Sequence, residues 1–263
     1  MKDDRKYPAR AVSLLALVIL LLTAFPAPVP AATPTAARAR LILAEIDDLW
    51  RADSSAATVT MRVVTAHYSR TVTMESWTLG KERSLVRIVA PLKEKGTATL
   101  KSGAAIYTYL PKTDRTIRLT SSMMLGSWMG SHFTNDDLVK ESRLADDYDP
   151  EIVFEGLRDE HRIIEFALKP KPEAPVVWGR IVTTVLADGY LPLLSRYYDE
   201  DGQLARTVTF SEIKEMGGRR LPAVMRVVPA DKPDEYTELV YEKIAFGQAI
   251  PEAFFSLQEI RRR

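Results

Sequence analysis

The sequence predicts an α+β fold in which one strongly curved antiparallel sheet wraps around helical segments. Three observations lead there. Short stretches rich in Val, Ile, Thr and Tyr follow one another along most of the chain, divided by turn residues. Several of those turns, Asp188-Gly189, Asp201-Gly202 and Gly217-Gly218, supply the positive φ that tight hairpins need. Several strands are apolar on one face and mixed on the other, as in Ile181 and Val185 against Val182 and Leu186, or Ile106 and Leu110 against Tyr107 and Tyr109. A half-solvated sheet would alternate more cleanly. An interior too wide for its own side chains to fill accommodates the excess.

A helix is expected first, over Thr35–Ala52, with Leu41, Ala44, Ile46, Leu49 and Trp50 near helical spacing and charged residues opposite. Six strands follow: Thr58–Tyr68, Arg70–Leu79, Ser84–Ala90, Thr97–Lys101, Ala105–Leu110 and Arg115–Leu119. Seven more close the chain: Ile152–Leu157, Arg162–Leu168, Val176–Ala187, Leu191–Asp199, Leu204–Glu215, Arg220–Val228 and Glu235–Phe246. Hairpin leads to hairpin, and there is no room for the crossover helices of a parallel sheet. Between the two strand sets lies Ser121–Asp137, which concentrates Met123, Met124, Leu125, Trp128, Met129 and Phe133. Flexible thioethers repack easily against variable apolar ligands, although the same residues also suit an ordinary core.

The N-terminus reads as an export signal. Lys2, Arg5, Lys6 and Arg10 precede the uncharged run Ala11–Phe25, whose 15 residues fall short of a membrane span. Val29-Pro30-Ala31 suits cleavage after Ala31, and Ala37-Arg38-Ala39 is a second possible site. The expected organisation is a signal peptide over 1–31 and a single domain over 32–263, the latter with a net charge of about −1. Near-neutrality argues against nucleic acid as a partner. The chain has no cysteine, which excludes disulfides, thiolate metal sites and a lipid-modified N-terminal Cys.

Catalysis finds little support. His67, His132 and His161 are scattered, without metal-ligand spacing, and no GxSxG elbow accompanies a serine. Asp136-Asp137 and Asp146-Asp147 lack the alternation and glycine of a calcium loop. Thr134-Asn135-Asp136-Asp137 reads instead as a helix cap. No metal or cofactor is expected. What remains is binding of something apolar, drawing on the aromatic residues Trp50, Trp77, Trp128, Trp178, Tyr107, Tyr109, Phe133, Tyr197 and Phe210.

An ordered series of motifs carries a resemblance. Ser84–Pro91 (SLVRIVAP), Lys95–Leu100 (KGTATL), Tyr107–Pro111 (YTYLP) and Met129–Leu138 (MGSHFTNDDL) follow one another, and Tyr198-Asp199 with Gly202 and the Pro222 strand continue the match. The chain resembles the LolA-like outer-membrane lipoprotein-sorting proteins over essentially all of its mature length. It departs at His132, where that family usually carries Asp. The resemblance implies a half-open β-barrel closed on its concave side by an N-terminal helix and a helical lid insertion. It further implies a non-enzymatic periplasmic carrier, monomeric, that shelters acyl chains of lipoproteins or other lipids between membrane-bound donor and acceptor proteins. The implied lipid contacts are Ile42, Ile46, Leu49 and Trp50 from the helix, Trp77, Tyr107 and Tyr109 from strands, and Met123, Met124, Leu125, Trp128, Met129 and Phe133 from the insertion. An accessory subunit of an envelope transporter, holding a fixed lipid, is the alternative.

Overall fold

Alternation and turn chemistry produce the expected strands. The computed structural model describes residues 34–262 apart from 141, 142, 173 and 175; the expected leader and its cleavage site after Ala31 lie outside the described residues. Thirteen strands form one antiparallel sheet. The first six are β1 (Ser54–Val64), β2 (Ser69–Leu79), β3 (Arg83–Ala90), β4 (Ala98–Ser102), β5 (Ala105–Leu110) and β6 (Arg115–Arg118). The other seven are β7 (Tyr148–Arg158), β8 (His161–Pro170), β9 (Arg180–Leu186), β10 (Pro192–Tyr198), β11 (Leu204–Met216), β12 (Arg219–Pro229) and β13 (Tyr236–Phe246). The hairpin glycines Gly189, Gly202, Gly217 and Gly218 all have positive φ.

The strand order is β6-β5-β4-β3-β2-β1-β13-β12-β11-β10-β9-β8-β7. Two meanders are therefore stitched together at the centre by the β1–β13 pairing, and the sheet is not closed. Register shifts in β1, β2, β7 and β10 add local twist and bend. One consequence of this order is topological. The chain leaves the sheet at one edge, β6, and re-enters at the other edge, β7, so residues 119–147 must connect the two edges.

The first helix, α1 (Pro34–Asp47), is shorter than expected and buries a different face. Ala39, Ile42, Leu43 and Ile46, spaced i, i+3, i+4 and i+7, pack with Ile164, Phe166 and Leu168 of β8 and with Ile181 and Val185 of β9. Leu41, expected in the apolar stripe, is 68% exposed. Arg38 pairs with Glu155 at 2.7 Å and Arg40 with Asp149 at 2.7 Å, tying the outer side of α1 to β7. The chain then turns through residues 48–52, placing Trp50 beyond the helix, stacked on Phe210 and Tyr241.

The 119–147 connection, where a helical lid insertion is expected, is made of short pieces. It contains two single 3₁₀ turns, Ser121–Met123 and Trp128–Gly130, and two short helices, α2 (Asn135–Lys140) and α3 (Leu144–Asp147). Met129 has φ 49° and Gly130 φ 70°, and two left-handed residues in succession stop any helix there. The Thr134 cap forms as expected: Thr134 N donates to Asp137 Oδ2 at 2.7 Å while Asp137 N donates to Thr134 Oγ1 at 3.2 Å.

The two-sided apolarity of the strands has two separate causes. On the inner face, Val59, Met61, Val63, Val72, Met74, Val86 and Ile88 of β1–β3 gather around Trp128. On the outer face, Leu85, Ala98, Leu100 and Tyr109 are covered by Phe255 and Ile260 of the C-terminal segment, which holds a 3₁₀ turn (Glu252–Phe254) and α4 (Leu257–Ile260). Part of what the sequence reading assigned to an enlarged interior therefore belongs to this second, outer core.

Candidate functional site

A cavity of about 190 Å³ lies between the inner face of the sheet, α1 and the connection 119–147. One wall comes from the β1–β3 side: Val59, Met74, Ser76, Ser84 and Val86, with Trp128 and Phe133 beside them. The opposite wall comes from the β9–β11 side: Ile181, Thr183, Pro192, Ser195, Tyr197, Arg206, Val208 and Phe210, with Trp178. Met225, Leu239 and Tyr241 of β12 and β13 complete the floor, and Ile46, Asp47, Trp50, Asp136, Asp137, Leu144 and Tyr148 contribute from the helical segments. Only a curved sheet brings β3 and β9, seven strands apart in order, onto one cavity.

Trp128 is held by its own polar handle. Its indole Nε1 donates to Thr99 Oγ1 of β4 at 3.1 Å while the ring packs among Val and Met side chains. Around it, Arg70 of β2 donates to Met129 O and pairs with Glu94, and Tyr68 donates to Gly130 O at 3.0 Å. His132 anchors the other flank: its backbone N donates to Thr237 Oγ1 at 2.9 Å, its Nδ1 lies 2.9 Å from the same oxygen, and its Nε2 lies 3.2 Å from Glu235. His132 thus joins the connection to β13.

The β9–β11 wall is chemically different. Arg206 is 5% exposed. It forms a two-pronged pair with Asp137 at 2.7 and 2.5 Å and lies over the rings of Trp178 and Tyr197, at 4.4 and 4.3 Å from their centroids. Burial opposes its charge, but the Asp137 carboxylate outweighs burial and the guanidinium stays protonated. Asp47, at the end of α1, accepts from Leu144 N at 3.3 Å and Ala145 N at 3.1 Å. Burial nevertheless pushes its carboxyl up to about 7. Burial also raises the phenols of Tyr148 and Tyr197, which remain neutral. Thr183 and Ser195 face each other across β9 and β10 with hydroxyls 2.9 Å apart. Among the described residues no group of His, Asp and Glu has metal-binding geometry.

The fold has counterparts among solved structures. A DUF1329 family protein from Desulfovibrio piger superposes with a TM-score of 0.77 at 20% identity, over 87% of this chain and 100% of that one. A domain described as outer-membrane lipoprotein-sorting, from Vibrio parahaemolyticus, gives 0.75 at 24% identity, over 86% and 100%. A LolA-superfamily protein from Nitrosomonas europaea gives 0.71 at 22%, over 84% and 98%. A family model carrying only the description "uncharacterized protein" matches residues 80–262. The chain belongs to the family of that model and shares the fold of the LolA-superfamily protein. No curated protein matches it. Among the described residues no helix is long and apolar enough to cross a membrane.

The lipid contacts implied by sequence separate into four groups. Ile46, Trp50, Trp128 and Phe133 line the cavity. Ile42 is buried behind the lining, Leu49 is half-buried, and Met129 packs on the Trp128 cluster. Trp77, Tyr107 and Tyr109 lie elsewhere: they pack in the outer core beneath the C-terminal segment, because they alternate with inward residues on their strands. Met124 is half-buried, whereas Met123 and Leu125 face outward, Leu125 being 66% exposed. The polar wall escaped the sequence reading. Arg206 stands in phase with Val208 and Phe210 on β11, and a charge on an apolar strand face was the available signal.

Proposed function

We propose that this protein is a non-enzymatic carrier that takes acyl chains of lipoproteins or other lipids into its cavity and passes them on within the periplasm. The observation that carries this reading is the apolar lining contributed from both halves of an unclosed sheet, spanned by a segment attached at both edges. Trp128 and Phe133 sit on that segment, so displacing it opens the cavity without unpairing a strand. Each methylene transferred from water contributes about 0.8 kcal/mol, so a single long chain supplies affinity with few directional contacts. Ile46, Trp50, Trp128 and Phe133 are the contacts assigned to the chain.

The test is mass spectrometry of lipid extracted from protein purified after export, comparing wild type with Phe133→Asp. Phe133 is half-buried, so its replacement spares the sheet. Wild type should carry long-chain lipid in near-stoichiometric amount and the variant several-fold less. Equal loading, or none in either, overturns the proposal. Exchange of the bound lipid with acceptor vesicles separates a carrier from an accessory subunit with a fixed lipid.

A further inference from the structure

The sheet has a seam. β12 and β13 pair only over Val224–Val227 against Thr237–Val240, although β12 runs on beside β11 to Arg219 and β13 runs on beside β1 to Phe246. Two local features accompany the end of this ladder. Pro222 has no N–H to offer across the gap, and a register shift inserts Glu242 into β13 between Tyr241 and Lys243. Residues 219–223 and 241–246 are therefore the two lips of a slot.

Trp50 stands in the slot. Its indole Nε1 donates to Pro222 O at 3.3 Å, and its ring stacks on Phe210 at 5.9 Å and on Tyr241 at 6.2 Å. One side chain thus touches both lips, and it also lines the cavity. A second hollow, of about 570 Å³, lies at the same seam. Met216 and Gly217 form one bank, Ile244 and Ala245 form the other, and Ala56 and Trp77 continue the floor. Trp77 belongs to the outer core, which places this groove on the outer face of the sheet. Exposed Glu75, Glu215, Glu242 and Lys243 stand around it.

The ring between the two spaces is lightly held. Trp50 lies in the turn 48–52, outside every strand ladder, so turning its ring aside unpairs no strand. Its hydrogen bond to Pro222 O is longer than the usual range. A hydrocarbon chain in the slot replaces the lost ring contacts on Phe210 and Tyr241 with contacts of its own. A head group would have to shed its water between two aromatic rings, whereas a methyl-ended chain has none to shed.

We infer that the groove is a second acyl subsite, reached through the seam past Trp50, which takes the methyl end of a long chain whose first carbons lie in the cavity. The inference rests on the carrier reading and extends its site. The chain has no cysteine, so Lys243→Cys places a single bimane label at the exposed rim of the groove. Methyl 5-doxylstearate and methyl 16-doxylstearate carry a nitroxide quencher near the ester and near the methyl end. Quenching of tryptophan fluorescence reports entry into the cavity, because Trp50, Trp128 and Trp178 line it. Both esters should quench tryptophan, and the 16-position should quench bimane several-fold more than the 5-position.

Ala245→Phe, at another exposed position, fills the groove from outside. In the labelled protein it should abolish most of the bimane quenching and leave tryptophan quenching by the 5-position unchanged. Each methylene denied shelter costs about fourfold in affinity, so this variant should weaken methyl stearate at least tenfold and spare methyl laurate. Trp50→Ala empties the slot and should speed the onset of bimane quenching several-fold; an unchanged rate overturns the passage. Equal bimane quenching by both positions, quenching that survives Ala245→Phe, or an unaltered stearate affinity overturns the subsite. The comparison of the two positions decides the matter even where Ala245→Phe does not fold. Tryptophan quenching without bimane quenching sinks the subsite alone; no tryptophan quenching by either ester sinks the carrier reading with it.

Discussion

The two walls of the cavity are built on different principles. The β1–β3 wall is Val and Met packed around one tryptophan, a generic apolar surface apart from the hydrogen bond that ties the Trp128 indole to Thr99. The β9–β11 wall is a network: Arg206 with Asp137, Thr183 with Ser195, and Tyr197 and Trp178 over the guanidinium. The first tolerates change and the second does not, because an unmet buried polar group costs more than a slightly imperfect apolar contact.

The sharpest way to break the contrast is at Asp137. Asp137→Ala strands the guanidinium of Arg206 and removes the acceptor that caps α2, and breaking a buried pair on one side costs about 3–5 kcal/mol. Denaturant unfolding should show that loss, and Arg206→Met/Asp137→Asn should recover most of it. A single variant within about 1 kcal/mol of wild type, against that expected loss, would mean that the pair is solvated and the wall is not a network.

Asp47 gives the next largest effect, and it depends on pH. Its folded value of about 7 lies above the unfolded value near 3.8, so the native state holds a proton that the unfolded chain has released. Stability from this group is fully present below about pH 4 and is lost as pH rises to about 7, by up to roughly 4 kcal/mol. Asp47→Asn cannot ionise. Its stability relative to wild type should therefore improve steadily from pH 4 to 7 and stay level above, as read by denaturant midpoints across that range. A difference that does not vary with pH would place Asp47 in contact with water.

The same contrast explains what sequence could and could not reveal. Every strand was legible, because alternation and Gly-bearing turns are local signals. The position of α1 was legible but its phase was not, since Leu41, Ile42, Leu43 and Ala44 are all apolar and several faces look equally buried. Strand parity showed that Trp77, Tyr107 and Tyr109 share faces with other apolar residues. It could not show that a segment near the C-terminus covers the outer face. The polar wall was hidden for another reason. Asp136-Asp137 already had a sufficient local explanation as a cap, and its second role depends on Arg206, 69 residues away. Apolar surfaces announce themselves by period, whereas networks of single long-range pairs leave no periodic trace.

The smallest effects measure the contrast most directly, because they compare substitutions of nearly equal volume on the two walls. Met74, on β2, is buried among Val and Trp side chains and uses no polar atom. Met74→Leu keeps volume and should change stability by less than about 1.5 kcal/mol. Thr183→Val keeps shape equally well but leaves the Ser195 hydroxyl, buried beside it, without its partner at 2.9 Å. That change should cost about 1–3 kcal/mol, most of it desolvation of the orphaned group. If both variants behave alike in unfolding, the two walls are equivalent.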